Sequence, residues 1–337
     1  MKKISKTIYS IIIISTAILY FGCNDNHMSP SSNGNGTLIR ATAIFPTTGT
    51  CSSSFITTLS GVNYAFLALG SGGIQILNVM NPSLPEPVST YNVSGFSEET
   101  FSASFNNVPY LFIGAGNGGL AVLNLSNITT PVLDTTFSLS GDYINTVFVD
   151  TVHKTLYSGG SFGKLYVFNL SNLPLINNLS TYQSLSYINE IQVSNNVAYL
   201  AQDSGMDIVN VTNPAAPVNI TFGSSNDYAY DVKISGNLAI VANNANGVVI
   251  FDVSNPSNPQ RRGIIDTYDI ALACTINGNL LYVAEDQSGM EVYDISNPAN
   301  PRYLAYYTTS SYTENAYYFN GYTYLSDYND FIVLRYP

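Results

Sequence analysis

The sequence predicts an all-β protein: a seven-bladed β-propeller of four-stranded antiparallel blades, closed by an N-terminal strand that completes the last blade. Three observations predict it. One short phrase recurs seven times, turn dipeptides recur at one point of that repeat, and the strand inside the phrase is apolar at consecutive positions.

The phrase is clearest as GVVIFDVSNP at Gly247–Pro256 and GMEVYDISNP at Gly289–Pro298. Weaker copies open at Gly73, Gly119, Lys164, Gly205 and Asp330, at intervals of 46, 45, 41, 42, 42 and 41 residues. A fixed period in this range marks units that bury their apolar faces only against their neighbours. The 337 residues would allow two average domains, but the repeat leaves no gap for a second core.

The unit is most legible in its fifth copy. Strands are expected at Tyr230–Ser235, Leu238–Asn243, Val248–Val253 and Gln260–Ile265, with a tight turn at Gly236-Asn237. Equivalent turns fall at Ser60-Gly61, Asn106-Asn107, Asn195-Asn196, Gly278-Asn279 and Asn320-Gly321. Such residues tolerate the positive φ of two-residue hairpins. Four strands in about 42 residues make one propeller blade. The run Val248-Val249-Ile250-Phe251 does not alternate, so both faces of that strand are covered, as between stacked blades.

The seventh unit stops after three strands, read at Ala316–Phe319, Tyr322–Leu325 and Phe331–Arg335. Its fourth strand is expected from Leu38–Phe45, which would close the ring and remove an exposed edge. The propeller is therefore placed at 37–337.

The phrase LLYVA at Leu280–Ala284 followed by Gly289–Pro298 resembles the LVIVD repeat, a family of β-propeller repeats in bacterial and archaeal proteins, many of them on the cell surface. The resemblance covers Ala65–Tyr307 and fades in the last unit, where Arg335 takes the Asp/Asn position. It implies a propeller and a surface location. It brings no family-wide catalytic residues.

The first residues read as an address. Lys2, Lys3 and Lys6 precede an apolar run, Ile8–Phe21, which ends at Gly22-Cys23. That is the pattern of a secretory signal, 1–22, and the run is shorter than the roughly 20 apolar residues of a spanning helix. Tyr20-Phe21-Gly22-Cys23 resembles a bacterial lipobox, with Tyr20 where that motif prefers Leu. The resemblance implies acylation of Cys23 and a lipid-anchored protein of the bacterial envelope, at the outer membrane or cell surface. Residues 23–36 are Ser, Asn, Gly and Pro with almost nothing apolar, a flexible tether. Cys51 and Cys274 fall in different repeats and are expected as two buried thiols.

The formal charge is −11; without the signal, eight basic residues face twenty-two acidic ones. That balance excludes nucleic acid as a partner and favours cationic ones. Acids gather in the turns and blade links of one expected face. Glu190, Asp231, Glu99, Glu314, Asp269 and Asp286 are the candidate ligand-binding residues, with Glu190 and Asp231 at the channel mouth. The other reading makes these acids solubilising only.

No catalytic residues and no metal site stand out. Calcium is possible on an acidic face but nothing supports it, and no cofactor is implied. The Asp or Asn at 78, 124, 169, 210, 252 and 294 is expected to set the following turn rather than hold a metal. His153 is the one histidine within 37–337, so a hydrolytic triad lacks its base. The expectation is a monomeric, non-enzymatic binding or scaffolding propeller for an unknown protein or glycan ligand. The alternative is a carboxylate-based, glycan-active hydrolase on the same face.

Overall fold

The computed structural model describes residues 36–139 and 141–336. Residues 1–35, over which a signal peptide, an acylated Cys23 and a tether are expected from sequence, lie outside the described residues. Seven sheets, each built on antiparallel strands, radiate from one axis as blades 1 to 7. Blade 1 runs through Ser53–Leu59, Val62–Ala68, Ile74–Asn78 and Glu86–Tyr91, and blade 2 through Glu99–Phe105, Val108–Gly114, Leu120–Asn124 and Val132–Phe137. Blade 3 comprises Ile144–Asp150, Thr155–Gly160, Lys164–Asn169 and Asn177–Gln183; blade 4 comprises Glu190–Ser194, Val197–Gln202, Gly205–Asn210 and Val218–Ser224. Blade 5 is built from Asp231–Ser235, Leu238–Ala242, Val248–Asp252 and Gln260–Ile265, and blade 6 from Ala271–Asn277, Leu280–Glu285, Gly289–Asp294 and Arg302–Tyr307. Blade 7 has Thr313–Phe319, Tyr322–Asp327 and Asp330–Leu334. In every blade the first strand is innermost, and each inner strand lies against the next around a closed ring.

The N-terminal segment does close the ring, but it divides its work. Ala41–Pro46 pairs antiparallel with Asp330–Leu334 as the fourth strand of blade 7. Thr37–Leu38 instead pairs parallel with Arg302–Tyr307, adding a fifth strand to blade 6. The single strand expected over Leu38–Phe45 is thus two. Ile39 is the pivot: its N–H donates to Tyr306 O at 2.8 Å and its side chain is buried between blades 6 and 7.

The core is seven cores. One cluster of buried apolar side chains fills each blade interface; Phe112 and Leu123, for example, point from blade 2 to opposite sides. This is why the third strands carry no alternation: Val248–Phe251 is buried on both faces, half in each adjoining cluster. Cys51 and Cys274 are free thiols within two of these clusters.

Local chemistry explains the phrase itself. Gly247 adopts φ 65°, and a Cβ there would lie 2.1 Å from Ile265 O. Blade 3 meets the same need with Gly163 at φ 68°, one residue before Lys164. The acid or amide that ends each phrase accepts the N–H two residues on: Met80 on Asn78, Ser126 on Asn124, Ser171 on Asn169, Thr212 on Asn210, Ser254 on Asp252 and Ser296 on Asp294. These side chains set turns, as expected. The ladder between third and outer strand then shifts register in all seven blades, including the strand supplied by Ala41–Pro46. A bulge there twists the rim and makes it a poor template for another chain.

Candidate functional site

The inner strands line a central channel, and their alternation stacks its walls in layers. Side chains at i and i+2 of a strand share a face, so each blade offers one residue to an upper ring and one to a lower ring. The upper ring includes Ser53, Glu99, Glu190, Asp231 and Asn315. The lower ring places Phe55, Phe101, Phe148 and Tyr317 beside Gln192, Lys233 and Thr275.

Four of the six acids selected from sequence meet here. Glu99, Glu190, Asp231 and Glu314 come from blades 2, 4, 5 and 7 to line one mouth, where Glu98 joins them. Asp269 and Asp286 do not. They lie in the blade 5–6 link and a blade 6 turn, where Asp269 Oδ2 accepts Gln287 N–H at 3.0 Å and Ser288 Oγ–H at 3.1 Å. Asp269 therefore pins the turn next to Asp286. Burial, with Asp269 beside it, pushes the Asp286 carboxyl up to about 6.

Several other acids of that face are internal struts. Asp142 accepts Tyr166 Oη–H at 3.0 Å and Phe162 N–H at 3.0 Å, and Glu98 accepts the hydroxyl of Tyr143. Each ties neighbouring strands or blades together, so the link acids are not simply solvated.

Lys233 and the aromatic residues of the lower ring were not selected from sequence. The Lys233 Nζ lies 2.9 Å from Glu190 Oε1 and 2.8 Å from Asp231 Oδ1. The Asp231 contact is an ion pair without directed hydrogen-bond geometry. The signal was present, since Asp231 and Lys233 are i and i+2 of one inner strand.

Electrostatics follow from crowding acids around one ammonium. Burial, then the neighbouring Glu190, pushes the Glu99 carboxyl up to about 8, against the opposing pull of Lys233 and the Val147 N–H, which donates to Glu99 Oε2 at 3.0 Å. Burial also raises Asp231, with Lys233 opposing. For Lys233 burial alone would lower the ammonium, but Asp231, Glu190 and Glu99 outweigh it and hold it well above its ordinary range.

The lower ring is half aromatic. Tyr317, Phe55, Phe101 and Phe148 belong to blades 7, 1, 2 and 3 and form a continuous arc, with centroid separations of 5.2, 4.7 and 5.5 Å. Polar Gln192, Lys233 and Thr275 face it from blades 4, 5 and 6. The chamber they enclose holds about 340 Å³, and the mouth compartment above it about 70 Å³. Ser53, Glu99, Glu190 and Asn315 line both.

The tyrosine-rich segment Tyr303–Tyr328 forms no single contact surface. Tyr324 stacks in the core on Phe331, Tyr318 stacks on Tyr282, and Tyr312 meets Tyr328 edge-on. Among the described residues no three His, Cys, Asp or Glu converge as a metal site. His153 is an exposed turn residue whose Nδ1 lies 2.7 Å from Asp150 Oδ2.

The molecule is thus a seven-bladed repeat propeller with a charged upper and aromatic lower channel. It belongs to the LVIVD repeat family, whose repeat matches residues 58–93, 109–139, 187–221, 227–267 and 271–309. The matched segments run from 58 to 309, slightly beyond the expected span Ala65–Tyr307, but pass over blade 3, whose phrase opens with Lys164 instead of Gly. A search of curated proteins finds no match. Among solved structures, the crystal structure of the computationally designed Ika8 protein is similar, with a TM-score of 0.64 and 10% identity over 85% of this chain and 83% of that one. At that identity the likeness is one of fold.

Proposed function

We propose that this protein is a lipid-anchored, non-enzymatic binding propeller of the bacterial envelope, receiving its ligand at the acidic mouth of the channel. The observation that carries the reading is convergence. Glu99, Glu190, Asp231 and Glu314 are distant in sequence, belong to four blades, and line one opening with Lys233 as their near cation. A rigid ring of blades presents such groups at little ordering cost, which suits binding. The anchor rests on the sequence Tyr20-Phe21-Gly22-Cys23.

Two measurements test it. Cys23→Ser should move the protein from the membrane to the soluble fraction and abolish acyl labelling; unchanged partition would reject the lipid anchor. Calorimetry against a panel of basic proteins, glycans and calcium should find a ligand whose binding is lost in Glu190→Gln with Asp231→Asn. Binding that survives both changes would move the site to the outer loops.

A second reading draws on Glu99, a carboxyl held protonated near neutral pH beside Glu190. That is the condition of a glycosidase acid. Release of p-nitrophenol from aryl glycosides, lost in Glu99→Gln, would favour the enzyme.

A further inference from the structure

The two compartments of the channel differ in chemistry, and their shared ring makes a boundary between charge and apolar surface. Above it lie carboxyls; below it lie four aromatic rings. We propose that the channel binds a small alkylammonium ion, its charged head at Glu99 and Glu190 and its apolar body in the chamber against Phe55, Phe101, Phe148 and Tyr317. This assignment rests on the channel mouth being the ligand site, and it names the ligand's class.

The chain already shows how an ammonium is held there. Lys233 places its Nζ between Glu190 and Asp231 at 2.9 and 2.8 Å. One lysine cannot match the carboxyls around it, so a second cation is favoured where an anion is repelled. The aromatic arc supplies the remainder. Ring faces attract cations, and apolar surface removed from water contributes about 25 cal/mol per Å². A chamber of about 340 Å³ is of small-molecule size.

Ser53 offers a free acceptor at the shared ring. It is 6% exposed, lines both compartments, and its hydroxyl has no hydrogen-bond partner. Buried hydroxyls are ordinarily paired. An ammonium N–H at the shared ring would donate to the Ser53 oxygen.

Proton exchange would accompany binding. Glu99 is faced by Glu190 from blade 4, Asp231 and Lys233 from blade 5, Glu314 from blade 7, and Glu98 beside it. Thr146 and the Val147 N–H bear on it from blade 3. With its carboxyl at about 8, Glu99 carries a proton at pH 7 that an arriving cation displaces to solvent. One proton leaves for one positive charge gained, so the site's charge is conserved.

The test is calorimetric titration of the full chain with hexylammonium chloride and with 1-hexanol. A primary ammonium stays charged below about pH 9, as lysine does. Hexylammonium should bind at least ~10-fold more tightly than hexanol, releasing about one proton at pH 7. Its affinity should rise about tenfold per pH unit below 8 and level off above. Glu99→Gln should flatten that profile, and Phe101→Ala should weaken hexylammonium more than methylammonium. Equal binding of hexanol, or a flat profile in the unsubstituted protein, overturns the proposal without any variant. If hexylammonium fails while calcium or a lysine-rich peptide binds and is lost in Glu190→Gln with Asp231→Asn, the mouth stands and the ammonium assignment falls. If none binds, both fall.

Discussion

Blades 4 and 6 bury an acid at the same point of the repeat and satisfy it in different ways. Asp207 and Glu291 each follow a Gly-Met pair at the start of a third strand, and both are buried. Asp207 accepts hydrogen bonds from Tyr182 Oη at 2.9 Å, Ser184 Oγ at 2.7 Å and Asn219 Nδ2 at 2.6 Å. The residue facing the glycine across the hairpin is Gln202, whose Oε1 accepts from Ser184 Oγ and the Ser186 N–H. In blade 6 that facing position is Glu285, fully buried beside Glu291. Glu291 Oε2 accepts from Tyr293 and Glu285 Oε2 from the Asp269 N–H, leaving Glu285 Oε1 and Glu291 Oε1 without a donor. Burial, then Glu291, pushes the Glu285 carboxyl well above its ordinary range. A proton on Glu285 relieves the repulsion between the two carboxyls. One amide-to-acid difference thus replaces the uncharged Gln202 with a carboxyl that needs a proton.

The comparison breaks most severely at Asp207. Asp207→Ala would take the shared acceptor from half-buried Tyr182 and exposed Asn219, leave Ser184 only Gln202, and cost about 2 kcal/mol of unfolding free energy in denaturant melts. A loss under about 1 kcal/mol would mean the network is slack. Gln202→Glu should import the blade 6 arrangement, lowering stability by about 2 kcal/mol at pH 8 and much less at pH 5. An equal loss at both values would point to packing instead.

The reverse exchange, Glu285→Gln, should raise the thermal midpoint at pH 9, by about 1–2 kcal/mol of stability, and leave pH 5 almost unchanged. The sign follows from linkage. The folded state holds the Glu285 proton above the unfolded value of about 4.3, so its contribution is complete below that pH and is lost as pH rises through the raised value. A midpoint that falls equally with pH in both proteins would show that Glu285 is not the group responsible. The smallest effect is expected from the tyrosines. Tyr293→Phe should cost about 1 kcal/mol, and Tyr182→Phe less, because Asp207 keeps two donors. Equal costs would remove the distinction between the blades.

Strand order, blade count and turn chemistry were legible because they are local. Asn106-Asn107 turns with both residues at positive φ, at 52° and 66°, while Gly236-Asn237 places only its glycine there, at 57°. Both conformations are written in the dipeptide. The mouth was legible in part: Glu99, Glu190, Asp231 and Glu314 came together, while Asp269 was drawn off to hold a turn. Lys233 and the aromatic arc escaped notice because single inner strands look unremarkable. Phe55, Phe101, Phe148 and Tyr317 become an arc only when four blades stand side by side.

The sequence by itself determined a ring of repeats, since period, apolar run and turn residues are set by neighbours within about 40 residues. It also determined that the first strand belongs with the last. The tertiary structure decided what closure brings into contact: Thr37–Leu38 on blade 6 rather than 7, Lys233 between Glu190 and Asp231, and Glu285 against Glu291. The physical reason is distance. A carboxyl's state depends on what stands within a few ångströms of it, and those neighbours come from the adjoining strand of a hairpin, as Glu291 does for Glu285, or from another blade, as Lys233 does for Glu190.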